Sequence, residues 1–284
     1  LAVMGAKNLK HGPLEALITA SEETGMDGAF GLKPEVLQGD ILLNLDSETE
    51  GELYVGCAGG LDLNVTLKYK EESVPAGYVA QKIDVKGLLG GHSGIEIILE
   101  RGNANKIMAR LLLKAQKEVG LRLASIDGGG LRNAIPREAV ATVVVPENKV
   151  AALTALVEKF AQTVSEELKG VDDNVTILLS DTATPASVMD LDSQKRLLNA
   201  IQGCPNGIFR MSPSIKGLVQ TSTNLARVVS ENGTVRMQAL LRSSVESEKE
   251  YLAETMSSVF ALAGADVTPS GGYSGWNPDM SSPI

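Results

Sequence analysis

The sequence predicts an α/β segment leading into a larger α+β domain, and three features carry that expectation. Before Gly60 the apolar residues come in short dense runs, Leu14–Ala20 and Ile41–Leu45, without the strict alternation of a half-exposed strand, the pattern of strands covered on both faces. After Gly60 apolar and polar residues alternate through Leu61, Leu63, Val65, Leu67 and Tyr69, the period of a half-buried strand. Long stretches of helical periodicity then recur between such strands.

Taken in order, His11-Gly12-Pro13 is a turn, Leu14–Ala20 a buried strand, and Gly25 opens a helical stretch that stops near Pro34. Ile41–Leu45 reads as a second strand and Leu53–Gly56 as a third, closed by Cys57-Ala58-Gly59-Gly60. A domain boundary is placed near Gly60. Pro75-Ala76-Gly77 turns the alternating strand into a partner at Tyr78–Gly87, and a Gly-rich loop follows over Gly87–Gly94. Asn103–Val119 places Ile107, Leu111, Leu112 and Ala115 on one helical face. Strands follow at Leu121–Ile126 and Ala139–Val145, then a helix at Lys149–Lys169 and a strand at Val175–Leu179. The second half repeats this order: a helix at Ser193–Gln202, strands at Gly217–Val229 and Thr234–Ser243, a helix at Lys249–Ala263 and a strand near Ala265–Thr268. Such a repeat predicts an internal pseudo-duplication, with Gly271–Ile284 as a linker.

The 284 residues suffice for two domains, and with 43% apolar and 21% charged residues the chain is globular in composition. Aromatics are only 4%, so the core must be aliphatic. A net charge of −9 argues against a nucleic-acid partner, whose phosphates call for clustered Lys and Arg. Runs such as Ala139–Pro146 fall far short of the ~20 residues a membrane helix needs, so no membrane association is expected. Cys57 and Cys204 are distant and form no disulfide or thiolate framework, which fits a reducing, cytoplasmic location.

Glu22 and Glu23 stand directly after the first apolar run. Adjacent carboxylates at the carboxyl end of such a strand face the crevice where α/β sheets bind ligands. Their repulsion is costly unless a cation neutralises it or one keeps a proton. Asp46 ends the second run in the same way, and parallel strands would bring it to the same rim as Glu23. Oxygen ligands of this kind suit zinc when histidine completes the set. His11 has no ligand spacing around it and reads as a turn residue. His92 in a Gly-rich loop, Asn133 before Ile135-Pro136, and Arg242 at a strand end are each compatible with a purely local role.

Ser21-Glu22-Glu23-Thr24-Gly25-Met26-Asp27-Gly28-Ala29, Asn44-Leu45-Asp46-Ser47-Glu48, Cys57-Ala58-Gly59-Gly60, Lys86–Gly94, Gly102–Lys106, Leu131–Ala139 and Gly275–Asp279 together resemble the bacterial aminoacyl-histidine (Xaa-His, carnosinase-type) dipeptidases, co-catalytic zinc metallopeptidases. The resemblance implies an α/β zinc-peptidase catalytic domain, with a mixed sheet and flanking helices, carrying an inserted α+β lid. On this chain it implies residues 1–60 as part of the catalytic domain, 61–273 as the lid and 274–284 as the return. It further implies Glu22 as the general base, Glu23 and Asp46 as ligands of two Zn²⁺ ions (Co²⁺ or Mn²⁺ being alternatives), and His92 as the lid histidine that meets the oxyanion. Asn133 and Arg242 would contact the substrate, Arg242 pairing with its free carboxylate through a two-pronged fork. Hydrolysis of dipeptides such as β-alanyl-histidine by a metal-bound hydroxide, in a homodimer, is the implied activity.

One departure stands out. The family's site needs two further histidines and a bridging aspartate, whereas this chain has only His11 and His92, neither in those motifs. Little or no activity is therefore expected of these 284 residues alone. A related tripeptidase or amidohydrolase, or an inactive lid and dimerisation module, are the alternatives.

Overall fold

A computed structural model describes residues 2–22, 26–46, 50–51, 54–279 and 281. The chain divides into two compact units, 1–54 and 55–284.

In the first unit, the described regular structure is a short helix at Ala2–Gly5, a helical turn at Asp27–Phe30 and a 3₁₀ turn at Pro34–Val36. Local hydrogen bonds organise the rest. The Glu15 carboxylate accepts the N–H groups of Gln38 and Gly39 at 2.9 and 3.0 Å, and Gly28 N–H donates to Ala20 O. The strands expected at Leu14–Ala20 and Ile41–Leu45 do not form, and Tyr54–Gly56 is not a strand either. Leu42 is 76% and Leu45 90% exposed. A continuous apolar run encodes a strand only when neighbours cover both faces and pair its edges. No strand or helix among the described residues of this unit does so.

The second unit is built on a sheet of nine described strands. Its elements are β1 (Gly59–Lys68), β2 (Glu71–Glu72), β3 (Tyr78–Lys86), β4 (Gly91–His92), α1 (Ala104–Val119), β5 (Arg122–Gly129), β6 (Ala134–Ile135), β7 (Ala139–Pro146), α2 (Val150–Glu167), β8 (Thr176–Asp181), β9 (Val188–Met189), α3 (Leu191–Gly203), β10 (Gly207–Met211), β11 (Val219–Glu231), β12 (Thr234–Ser243), α4 (Glu246–Leu262) and β13 (Asp266–Tyr273). The main order is β13-β1-β12-β11-β5-β7-β3-β8, all antiparallel, with β10 also on β11. The expected duplication is visible in this order. The set β3-α1-β5-β7-α2-β8 folds as β5-β7-β3-β8, and the set β1-α3-β11-β12-α4-β13 folds as β11-β12-β1-β13. The two meet edge to edge where Arg227, Val228 and Val229 pair with Gly129, Gly128 and Asp127.

Alternation then decides the layers. Leu63, Val65 and Leu67 of β1, Ile83 and Val85 of β3, and Met237, Ala239 and Leu241 of β12 are buried in one core with Met108, Leu111, Leu112, Phe160, Leu197, Met256 and Phe260 of the helices. On the other face, a small cluster of Ala80, Val144 and Val188 lies by the β2–β9 ribbon. The segment expected to be a linker from Gly271 starts as strand instead. β13 runs on to Tyr273, as an edge strand that tolerates Pro269 and absorbs a register shift against β1.

Candidate active site

His92 lies in the β4–β6 ribbon, where Gly91 pairs with Ile135 and His92 with Ala134. Ser93 N–H donates to Asn133 O at 2.8 Å, so the ribbon holds His92 and Asn133 side by side. A chain of buried amides fixes the ribbon to the core. Asn103 caps α1, its Oδ1 accepting the N–H groups of Asn105 and Lys106. Its Nδ2 donates to Asn224 Oδ1 at 3.2 Å, and Asn224 Nδ2 donates to Ala134 O at 2.8 Å. The start of a core helix thus reaches the residue paired with His92.

The imidazole is oriented by its own loop. Nδ1 of His92 accepts the N–H groups of Gly94 and Ile95, both at 3.2 Å. With Nδ1 an acceptor, the proton of the neutral ring sits on Nε2, the nitrogen left to meet a ligand. The His92 N–H donates to Glu96 Oε2 at 2.7 Å, and Arg101 Nη1 holds Glu96 Oε1 at 2.8 Å. That N–H, above all, keeps the Glu96 carboxyl below the usual carboxylate range.

Arg242 approaches from β12. It stands on the sheet face opposite Leu241 and Ser243, which turn toward the helices, and its register neighbours are Gly60 and Ser222. A side chain added at Gly94 would lie 3.0 Å from Arg242 Nε and 3.0 Å from His92 Cε1. Gly94 is therefore the small residue around which the imidazole and the guanidinium converge. Burial, and then the charge of Arg242, push the His92 pKa below its ordinary value, while Glu96 opposes them. A neutral imidazole that donates from Nε2 beside a guanidinium is a donor pair suited to an oxyanion or a carboxylate.

The sequence-predicted residues therefore fall into two groups. His92, Asn133 and Arg242 come together in the second unit. Glu22 and Asp46 belong to the first, both exposed, with the Asp46 N–H donating to Asn44 Oδ1 in a local turn. Glu23 lies outside the described residues. Among the described residues no group of three or more His, Cys, Asp or Glu is placed to hold a metal ion. His11 is exposed, its Nδ1 2.7 Å from Gly12 O, but the turn expected at His11-Gly12-Pro13 does not form. Sequence reasoning missed Asn103, Asn224, Glu96 and Tyr273. Only Asn103 carried a signal, as an amide directly before an apolar helical pattern.

Two comparisons bear on this arrangement. The cytosol non-specific dipeptidase of Escherichia coli K12 is 44% identical over all 284 residues, which span 59% of that protein. The crystal structure of aminoacylhistidine dipeptidase from Vibrio alginolyticus superposes with a TM-score of 0.92 at 43% identity, covering 99% of this chain and 57% of that one. The chain is related to these dipeptidases over its full length. Residues 83–172 also match a peptidase dimerisation domain, which coincides with the first of the two repeated sets from within β3 to the turn before β8. The chain thus spans rather more than half the length of the relatives it matches, and the fold is the mixed α/β arrangement of a sheet with flanking helices.

Proposed function

We propose that this chain is the lid and part of the catalytic domain of a cytoplasmic, zinc-dependent dipeptidase, with 61–273 as the lid and 1–60 and 274–284 on the catalytic side. The observation that carries this reading is the convergence of His92 and Arg242 at Gly94, with His92 Nδ1 already engaged by the backbone. Relatedness to two dipeptidases along the whole chain supports it. In this reading His92 Nε2–H stabilises the oxyanion, Arg242 receives the substrate's carboxylate and Asn133 lines the same position. Glu22 is the general base, and Glu23 and Asp46 are metal ligands that need further donors. Zinc, when bound, supplies a water ionisable near neutral pH. An Xaa-His substrate such as β-alanyl-histidine is the preferred class, a tripeptide or acylated amino acid being the alternatives, and a homodimer the assembly.

Replacing the matching 59% of the E. coli relative with this chain, and assaying the zinc-loaded chimera on a dipeptide panel, tests the reading. Turnover is expected, falling at least ~100-fold in Glu22→Ala with zinc content unchanged. A chimera that binds zinc in full yet cleaves no dipeptide would sink it.

A second reading concerns the 284 residues by themselves: a folded binding or dimerisation module without turnover. The dimerisation-domain match and the lack of a metal-holding group among the described residues favour it. Self-association in gel filtration together with an inactive peptidase assay is expected; dipeptide cleavage by this chain alone would exclude it.

A further inference from the structure

We propose that Tyr273 is a positioning residue that fixes the guanidinium of Arg242 from the crossing point of two chain segments; the proposal rests on the reading that Arg242 receives the substrate's carboxylate. Arg242 Nη1 donates to the Tyr273 hydroxyl at 3.1 Å. Arg242 Nε is buried and has no hydrogen-bond partner among the described residues, so the bond to Tyr273 is the one hydrogen bond described for the head group.

Tyr273 is itself held on several sides. Lys249, a buried lysine of α4, donates from Nζ to Tyr273 O at 2.6 Å and to Glu246 Oε2 at 2.9 Å. A Cβ at Gly59 would lie 2.5 Å from the same carbonyl, so the backbone of β1 closes on it directly. A Cβ at Gly60 would lie 2.5 Å from Tyr273 Cε1 and 2.8 Å from its hydroxyl, so only glycine leaves the ring its place beside Arg242. Beyond it, Cys57 and Trp276 exchange both backbone hydrogen bonds, at 3.3 and 2.9 Å, and clamp the two segments together. The ring is thereby seated by backbone on one side and offers its hydroxyl to Arg242 on the other. A long, flexible side chain loses less freedom on binding when it is already oriented.

The first test needs no catalysis. The protein has two histidines, so the His92 imidazole is assigned in NMR spectra by His92→Gln and titrated in the 284-residue chain. Arg242→Met is expected to raise the His92 pKa, and Tyr273→Phe to move it the same way by at least half as much, because the guanidinium swings free. Gly60→Ala, which displaces the ring without removing the hydroxyl, should do likewise. A Tyr273→Phe titration equal to the unsubstituted protein's, beside a shifted Arg242→Met, would overturn the proposal; indifference to both would overturn it too, since Arg242 would not then stand beside His92. The second test uses the zinc-loaded chimera. Tyr273→Phe should raise KM for a free dipeptide about tenfold with kcat within about twofold, and leave its C-terminal amide unaffected. Equal loss on acid and amide would mark a merely structural tyrosine and overturn the proposal. An unsubstituted chimera that cleaves nothing would instead refute the dipeptidase reading, leaving the titration to decide the tyrosine's role.

Discussion

The first 54 residues and the rest of the chain contain apolar runs of similar strength, yet among the described residues only the second region buries them. Ile41, Leu42, Leu43 and Leu45 are exposed, whereas Leu63, Leu67, Leu111 and Leu112 are completely buried. Residues 61–69 alternate, so one sheet face is satisfied by helices from within the same unit and the other can meet solvent. Residues 41–45, with Asn44 their one polar side chain, carry apolar groups on both faces and need cover twice over, which the described residues of this unit do not provide. Hydrophobicity decides that a segment should be buried; the partners present decide whether it is.

The most severe way to probe that difference is to delete side chains on either side of it. Phe260→Ala, in the last turn of α4 and fully buried, is expected to cost about 3–5 kcal/mol. Leu42→Ala, at a side chain already in water, should stay within about 0.5 kcal/mol. Thermal unfolding followed by circular dichroism reads both, at roughly 2–4 °C per kcal/mol for a unit of this size. Comparable losses at the two positions would mean that residues 41–45 are packed in solution, and the contrast would dissolve.

A smaller effect tests how the second unit ties its repeated sets together. Lys106 leaves the first set on α1 and donates from Nζ to the carbonyls of Ile201 and Cys204 at 2.6 and 2.7 Å and of Gln202 at 3.0 Å, closing the end of α3 in the second. An ammonium there satisfies carbonyls that lack helical partners and complements the helix dipole. Burial, above all, pushes the lysine's pKa below its ordinary value. Lys106→Met keeps the stem but orphans those carbonyls, with an expected loss of about 2–3 kcal/mol in urea unfolding. An unchanged midpoint would show that water replaces the ammonium without cost.

How much of this was legible in the sequence follows the same division. The alternating and helical periods of 59–273 gave elements close to those observed, with α1 starting directly after its cap Asn103 and β12 at Thr234–Ser243 as expected. The duplicated element order was legible too, but not the edge pairing of β5 with β11, because Gly128 and Gly129 carry no hydrophobic pattern. The strands expected before Gly60 failed because period and propensity are local, whereas a doubly covered strand is a statement about neighbours. At the site, His92, Asn133 and Arg242 were named through family resemblance, and the structure gathers them. Tyr273 and Asn224 escaped because their roles depend on contacts 31 and 90 residues away in the chain.

The mildest effect is one of pH, and it belongs to the second unit. His92 lies in the second unit with its pKa lowered first by burial and next by Arg242, while Glu96 pulls the other way. The folded state therefore prefers the neutral ring more than the unfolded chain does. Its contribution to stability is complete above the ordinary value of 6.5 and is lost as pH falls through the lower folded value. Urea midpoints measured from pH 7.5 down to 5 should fall more steeply for the unsubstituted protein than for His92→Gln. Glu96→Gln, which removes the one opposing charge, should steepen the fall; parallel curves for all three proteins would mean that His92 titrates as freely as it does in the unfolded chain, and that the ribbon does not hold it against Arg242.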